Sequence, residues 1–411
     1  MDMKMAELYA EFAVVSGVNI QKDQTLFVHC PIECDWFGRL CAAAAYKAGA
    51  RDVVMIYNDE LFSRLRMREA SVQALTDIKP WTLARYMEYV GVNGGCAALY
   101  IAASDPELYK DIDREKVEKA SQAARAAQKP FSDLRMNNKV QWSIVSVPTE
   151  AWAKKIFPDC DGAAAIEKLW DTIFEVCRVA GGDPVSAWKE HAENIQKRVE
   201  QLNALKLSAL HFTASNGTDL TVGLPENYEF VGVGDRVGSD VLFFANIPSE
   251  EIFAAPHRDR VDGTVKSSLP YVYNGNLIEG LTARFERGVA VEVSAEKGDD
   301  LLRQMMEADE GARRLGEIAL VPASSPIRAT GLLFYNTLFD ENAACHMAFG
   351  AGYPCGVKGG EEMTPEQLLA AGVNDSLIHE DIMIGTPDMN VDGILTDGGT
   401  APIFRNGEWA F

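Results

Sequence analysis

The first half of the chain alternates short apolar runs with segments of helical spacing. Residues 25–29 and 52–57 are β-prone apolar runs, and the alanine-rich segment 35–48 between them is helical in pattern. A strand, a helix and a second strand of these lengths form a βαβ unit, which implies a parallel sheet. A polar-faced helix is predicted over 114–128. We therefore predict that residues 1–205 form an α/β domain built on a parallel sheet.

The second half changes to short strands that are separated by turns. Two apolar runs flank Asn216 and Gly217, a dipeptide that favours a tight hairpin. A further strand is predicted at 289–294, and a helix at 299–308. Residues 206–411 are therefore predicted to form a mixed, mainly antiparallel α+β domain, so that the whole chain combines an α/β and an α+β fold.

Composition places the chain among globular proteins without a membrane span. Its 411 residues are too many for one ordinary core, and 47% of them are hydrophobic. No apolar run approaches 18 residues, and the N-terminus lacks the basic and apolar regions of a signal peptide. We therefore expect a cytoplasmic protein. The eight cysteines include no Cys-x-x-Cys pair, which favours free thiols over a structural zinc site.

The charge balance limits the classes of partner. The formal net charge is −21 at pH 7. Nucleic acids and anionic membranes both require a basic surface, so neither is expected as a partner.

The last third of the chain carries histidines beside carboxylates. His379 and Asp381 are two residues apart, and on a strand such residues face the same side. His346 follows Glu341 by five residues. Imidazole nitrogen and carboxylate oxygen together suit zinc, cobalt or manganese. Ordinary surface or hydrogen-bonding use of these side chains remains the alternative at this point.

Two further acidic positions lie next to apolar strands. Glu250 and Glu251 follow one apolar run, and Glu317 stands at the predicted entrance to another. A buried carboxylate without a partner is costly. Glu317 is therefore either exposed to solvent at the end of the strand, or it points inward and binds a metal. The six candidate ligands are Glu251, Glu317, Glu341, His346, His379 and Asp381. Six ligands exceed the needs of one zinc ion, which favours two metals.

The residues alone leave three classes of function open. The chain has no His-Glu-x-x-His, Gly-x-Ser-x-Gly, Walker A or Gly-x-Gly-x-x-Gly motif. The first class is a dinuclear metallopeptidase. The second is another dinuclear metallohydrolase, either an amidohydrolase or a phosphoesterase. Few basic residues accompany the candidate ligands, which disfavours a phosphate substrate, although Arg258, Arg260 and Lys358 keep it open. A non-catalytic peptide-binding protein is the third class.

Four ordered segments carry a family resemblance. They span residues 246–256, 315–319, 340–350 and 378–385, and include Leu-Gly-Glu-Ile-Ala and Ile-His-Glu-Asp-Ile-Met-Ile-Gly. These segments resemble the motifs of the thermophilic metallo-aminopeptidases, the family of aminopeptidases T and S. Chain length and motif order agree as well, while the N-terminal half resembles the family only in its α/β character.

The resemblance implies a metal-dependent aminopeptidase that releases N-terminal residues from peptides with a free N-terminus. It implies two divalent metal ions, zinc or cobalt with manganese or magnesium as alternatives, and a cytoplasmic homodimer that encloses its active sites. The resemblance further implies that domain 1–205 serves as a scaffold, forms the dimer contact and encloses the cavity, and that domain 206–411 is catalytic. The implied ligands are the six residues above, with Glu251 preferred to Glu250.

The resemblance also implies roles in catalysis. Tyr353 matches a tyrosine that the family places at the active site, and its hydroxyl could donate to the developing oxyanion. Glu317 or Glu341 could act as the general base. One departure is visible, because Ala254 stands where the family usually has threonine. That position changes a neighbouring contact and removes no ligand.

Overall fold

A computed structural model describes residues 2–92, 94–103, 105–238 and 241–411. The chain divides into two compact units, Met1–Glu193 with Gly234–Ser249, and Asn194–Val233 with Glu250–Phe411. The roles assigned above to domains 1–205 and 206–411 stay predictions. Within the described ranges, no helix is both long and apolar enough to cross a membrane.

The α-helices and strands follow one another in the alternation that the sequence suggests. The helices are α1 (Met3–Phe12), α2 (Asp35–Lys47), α3 (Glu60–Glu69), α4 (Val72–Thr76), α5 (Trp81–Val90), α6 (Arg114–Met136), α7 (Glu150–Ile156), α8 (Gly162–Val176), α9 (Pro184–Ala204), α10 (Asp299–Met305), α11 (Pro326–Ala329), α12 (Thr337–Asp340) and α13 (Pro365–Ala370). The strands are β1 (Thr25–Pro31), β2 (Asp52–Asn58), β3 (Cys96–Ala102), β4 (Trp142–Ser146), β5 (Leu207–Thr213), β6 (Asp219–Gly223), β7 (Asp235–Val237), β8 (Val241–Phe243), β9 (Ile252–Ala254), β10 (Val261–Lys266), β11 (Tyr271–Tyr273), β12 (Asn276–Ile278), β13 (Thr282–Glu286), β14 (Val289–Ser294), β15 (Leu315–Leu320), β16 (His346–Gly350), β17 (His379–Met383), β18 (Asn390–Leu395), β19 (Thr400–Arg405) and β20 (Glu408–Trp409).

The first unit is built on a parallel sheet with strand order β2-β1-β3-β4, which confirms the predicted α/β architecture. Strand β1 is buried along most of its length, as expected of a central strand in a parallel sheet. Helix α6 continues past the predicted end at residue 128, although Pro130 lies inside it. The continuation is anchored by Phe131, which is buried and stacks on Tyr86 with ring centroids 4.6 Å apart.

The second unit contains an eight-stranded sheet of order β14-β13-β10-β6-β5-β18-β19-β20, whose pairs are antiparallel. Strands β5 and β6 form the predicted hairpin, and Gly217 in its turn has a φ of +99°. A positive φ of this kind is what glycine supplies in a tight turn. The predicted helix at 299–308 is shorter than expected and ends at Met305. The mainly antiparallel α+β prediction for this half is confirmed.

A smaller antiparallel sheet of order β17-β16-β15-β9 lies in the same unit and has two chemically different faces. One face carries Ile318, Met347 and Ile382, which are opposite one another in the register and belong to the hydrophobic core. The other face carries polar side chains. Because side chains alternate along a strand, burying the apolar face fixes the orientation of the polar one.

Candidate metal centre

The polar face of the four-stranded sheet collects candidate ligands from three strands. His379 and Asp381 lie on β17, His346 begins β16, and Glu317 lies in the middle of β15. Glu317 is 4% exposed, so the solvated strand end considered from sequence is wrong and the side chain is inward. Glu251 immediately precedes β9, the fourth strand of the sheet.

Small residues separate the polar side chains on this face. Ala348 of β16 is paired on one side with Glu317 and on the other with Asp381. Gly350 is paired with His379. Gly350 has a φ of +106°, and a β-carbon added there would lie 2.1 Å from the carbonyl oxygen of Ile378, so glycine is required. Side chains of β15 and β17, the two strands that flank β16, can therefore converge above it.

The candidate ligands form two groups that share one carboxylate. In the first group His346 Nε2 lies 2.9 Å from Glu251 Oε2 and 3.6 Å from Glu317 Oε1. In the second His379 Nε2 lies 3.3 Å from Glu317 Oε2 and 3.6 Å from Asp381 Oδ1. Within each group one ligand atom per residue lies within 4.8 Å of the others. The two oxygens of Glu317 thus face different imidazoles.

Glu341 lies beside these groups without belonging to either of the two. It begins a single 3₁₀ turn, Glu341–Ala343, that follows α12. Its carboxyl group hydrogen-bonds to the carboxyl group of Asp381. The side chain is buried, as are most of its neighbours in the site. The structure therefore brings all six sequence-predicted ligands to one place.

Both imidazoles are oriented by the backbone. Nδ1 of His346 lies 3.1 Å from the carbonyl oxygen of Ala344, and Nδ1 of His379 lies 2.7 Å from that of Ala351. A carbonyl oxygen only accepts, so each Nδ1 is the protonated donor, and Nε2 of each ring faces the carboxylates. Metal-binding histidines are held in this way, with the second nitrogen donating to a fixed acceptor.

The electrostatics of the cluster reflect burial and crowded negative charge. Burial raises the pKa of the Glu341 carboxyl well above its ordinary value, and the charge of Asp381 raises it further. Burial also acts to raise the pKa of Glu317, but hydrogen bonds from His346 and His379 outweigh it and lower that pKa to about 2. Burial opposes protonation of His379, yet the charges of Asp381 and Glu317 raise its pKa to about 10. Protonated imidazoles and the neighbouring carboxylates thus stabilise each other's charge.

The donor set fits divalent cations. The residues that converge are four carboxylates and two imidazoles: Glu251, Glu317, Glu341, Asp381, His346 and His379. With neutral imidazoles the fully ionised set carries four negative charges, which divalent cations would compensate. Buried charge is costly without such compensation. Oxygen and imidazole nitrogen ligands suit zinc, cobalt and manganese better than magnesium, which prefers oxygen.

Aromatic side chains flank the site at His379. The Tyr353 ring stands edge-on to the His379 imidazole, with ring centroids 5.0 Å apart, and contacts the Phe253 ring at 5.6 Å. Burial raises the pKa of the Tyr353 hydroxyl well above 10, and nearby carboxylates, Glu317 first, raise it further. The hydroxyl is therefore held protonated, as a hydrogen-bond donor must be.

Sequence analysis did not identify two residues that organise the site. Asp340 is buried and accepts hydrogen bonds from the backbone N–H groups of Phe334 and Asn336, and burial raises its pKa to about 7. Asn342 is fully buried and bonds to the backbone N–H of Glu250 and to the carboxyl group of Glu341. Both residues lie next to Glu341 in the 340–350 segment, and this proximity was the one indication of a role in the site. The sequence does not show whether an amide or a carboxylate is buried, so the role could not be inferred from it.

Ala348→Val is expected to weaken metal binding while the fold is retained. Valine suits a strand, but its extra methyl groups would occupy the space between Glu317 and Asp381. An overpacking cost of roughly 1–3 kcal/mol, if it falls on the metal-bound state, corresponds to an affinity loss of about 5- to 150-fold. Titration of the metal-free protein against a competing chelator measures this loss. Met347→Leu, on the core face of the same strand, is the control, and equal affinity in both variants would contradict the prediction.

Similarity to known proteins extends over the whole chain. The profile of the family described as thermophilic metalloprotease (M29) matches residues 3–409. Aminopeptidase 2 of Geobacillus stearothermophilus is 43% identical over 408 residues, which cover 99% of this chain and 98% of that protein. Aminopeptidase T of Thermus thermophilus is 41% identical, with 98% of each chain covered. A solved structure, wild-type AmpT from Thermus thermophilus, superposes with a TM-score of 0.90 at 40% identity and covers both chains completely.

These similarities confirm the family resemblance and the mixed α/β fold. The matched region contains all four motif segments and the buried cluster of carboxylates and imidazoles. A metalloprotease requires a divalent metal, and the second unit holds a group of side chains that fits one. The chain therefore belongs to the thermophilic metalloprotease (M29) family and is a metal-dependent peptide hydrolase.

Proposed function

We propose that this peptide hydrolase is an aminopeptidase that works with two divalent metal ions. The observation that carries the proposal is the division of the site into two ligand groups that share Glu317. A carboxylate whose two oxygens face two different imidazoles is suited to bridge two ions. A site for one ion would not require a second imidazole with its own carboxylate.

The ligand assignment follows from the two groups. Glu251 and His346 would hold one ion, His379 and Asp381 would hold the other, and Glu317 would bridge them. Glu341 would complete the site from the 3₁₀ turn through its contact with Asp381. The mixed oxygen and nitrogen set supports zinc or cobalt, with manganese as the next choice and magnesium as the least suited.

Each side chain then has a separate role in peptide hydrolysis. When bound, the divalent ions supply Lewis acidity, which polarises the scissile carbonyl and lowers the pKa of the attacking water. Glu317 is committed to both ligand groups, so Glu341, outside them, is the carboxylate that accepts the water proton and passes it to the leaving amine. Tyr353, held against His379, donates its hydroxyl hydrogen to the developing oxyanion.

The restriction to the N-terminal residue is supported by the relatives. Aminopeptidase 2, aminopeptidase T and aminopeptidase AmpS of Bacillus subtilis are 41–43% identical over at least 98% of this chain. Substrates would accordingly be peptides with a free N-terminus. The amidohydrolase and phosphoesterase alternatives have no comparable support.

We also propose a cytoplasmic homodimer. All eight cysteines are free thiols and six of them are buried, which suits a reducing compartment. The dimer rests on the family resemblance alone. Sedimentation velocity of the purified chain tests the assembly, and a monomer at micromolar concentration would overturn it.

Metal titration tests the proposed function. Chelator-treated protein is expected to lose hydrolysis of Leu-p-nitroanilide and to regain it as zinc or cobalt is added, with a plateau at two equivalents per chain. N-acetyl-Leu-p-nitroanilide, which lacks a free amine, is the matched substrate and should not be cleaved. No recovery with any divalent metal would overturn the proposal. A plateau at one equivalent would overturn the two-ion site, and cleavage of the acetylated substrate would overturn the N-terminal restriction.

A further inference from the structure

Asn342 joins two ligand-bearing segments that are far apart in the sequence. Its side chain is fully buried. The Oδ1 atom accepts a hydrogen bond of 2.7 Å from the backbone N–H of Glu250, and the Nδ2 group donates to Glu341 Oε1 at 3.3 Å. Glu250 directly precedes Glu251, the ligand before strand β9. One amide thus contacts both the Glu251 segment and Glu341.

The orientation of this amide is determined by its partners. A backbone N–H can only donate, so the amide oxygen of Asn342 must face Glu250. The nitrogen must then face the opposite way, where it also donates to the carbonyl oxygen of Leu338 at 3.0 Å. Both partners of Nδ2 are acceptor oxygens. A flipped amide would place its own oxygen against them and its N–H groups against the Glu250 N–H, so the hydrogen bonds on both sides would be lost.

The backbone of Asn342 is held from a third direction. The Ser325 hydroxyl at the start of α11 donates to its carbonyl oxygen at 2.6 Å. A buried and multiply bonded amide has little freedom, so it transmits position between the segments that it contacts. Outer-shell groups that orient metal ligands in this way affect affinity by about 10- to 100-fold when they are removed.

We propose that Asn342 is a positioning residue that sets the separation of Glu251 and Glu341, and with it the affinity for metal. This inference rests on the proposed function, in which Glu251 is a metal ligand and Glu341 completes the site. Asn342 acts through these carboxylates, because its amide bonds to Glu341 and to the backbone N–H that precedes Glu251. An alanine at this position would remove one of the hydrogen bonds that orient Glu341, and it would remove the acceptor of the Glu250 N–H.

Metal affinity of Asn342→Ala separates this role from general stability. Chelator competition is expected to give a dissociation constant for the weaker ion about 10- to 100-fold above that of the wild type. The melting temperature is measured with and without metal. The increment produced by metal is expected to shrink, whatever the change in the metal-free protein. If Asn342→Ala does not fold, Asn342→Ser, which leaves a hydroxyl in the same cavity, is measured in the same way.

Ser325→Ala is the matched control, because it removes a buried hydrogen bond to the same residue but leaves the amide contacts in place. It is expected to lower the melting temperature and to leave metal affinity within about twofold of the wild type, well under the shift expected for a positioning group. The positioning role would be overturned if Asn342→Ala or Asn342→Ser bound metal with unchanged affinity, and if its melting temperatures with and without metal were lowered by the same amount. Failure of the wild type itself to bind metal would instead overturn the proposed function.

Discussion

Glu317→Gln is expected to abolish peptide hydrolysis and to reduce metal binding at both halves of the site. Glutamine keeps the shape of the side chain but loses the negative charge and one acceptor oxygen. Each oxygen of Glu317 faces a different imidazole, at 3.6 Å from His346 and 3.3 Å from His379, so one substitution damages both ligand groups. Removal of a group that only orients a ligand costs about 10- to 100-fold in metal affinity, and loss of a ligand shared by both groups should cost more than this.

The measurement combines metal content, melting temperature and turnover. A ligand that binds only the folded state stabilises it by about 2.7 kcal/mol at a concentration of 100 times its dissociation constant. Wild-type protein should therefore melt at a higher temperature when metal is added, and Glu317→Gln should show little of this increment. A variant that retained two ions per chain and wild-type turnover would contradict a shared role for Glu317.

Glu380→Gln is the matched control for that substitution. Glu380 lies on β17 between His379 and Asp381, but it is paired with Phe349 and faces the opposite side of the sheet. The same loss of charge within a few residues of the site should therefore leave metal content and turnover close to wild type. A large loss in this variant would show that net charge, and not the position of the carboxylate, controls binding.

The fold was predictable where local pattern decides it. Apolar runs around an alanine-rich helix predicted the β1-α2-β2 unit, and Asn216-Gly217 predicted the hairpin of β5 and β6. The end of α6 was not predictable, because the burial of Phe131 against Tyr86 outweighs the presence of Pro130 in the helix. Tertiary packing of this kind has no signal in the local sequence.

The sequence indicates candidate ligands one by one, but it does not determine how they are arranged. Two-residue spacing correctly placed His379 and Asp381 on one face of a strand, because that geometry is local. Glu317 could not be oriented from sequence, since its burial depends on pairing with β16. Sharing of Glu317 between two imidazoles and the bonds of Asn342 join segments that lie far apart in the sequence, so only the folded chain reveals them.

Tyr353→Phe is expected to reduce kcat by about 10²- to 10³-fold, the usual effect of removing one oxyanion donor. Phenylalanine keeps the ring that stands against His379 and Phe253, so the aromatic packing should be unchanged. Only the hydroxyl is lost, and burial together with the neighbouring carboxylates holds that hydroxyl protonated by raising its pKa. An interaction made only in the transition state changes kcat and leaves KM nearly constant.

A loss of kcat without a loss of metal binding distinguishes this role from damage to the metal site. Metal content and the melting increment of Tyr353→Phe should equal those of the wild type, in contrast to Glu317→Gln. Tyr228→Phe is the control, because its hydroxyl bonds only to backbone groups of Leu205 and Leu207 among the contacts that the described residues make. That control should lose stability and keep kcat. A Tyr353→Phe enzyme with wild-type kcat would remove the hydroxyl from the mechanism, whereas a rise in KM alone would assign it to substrate binding.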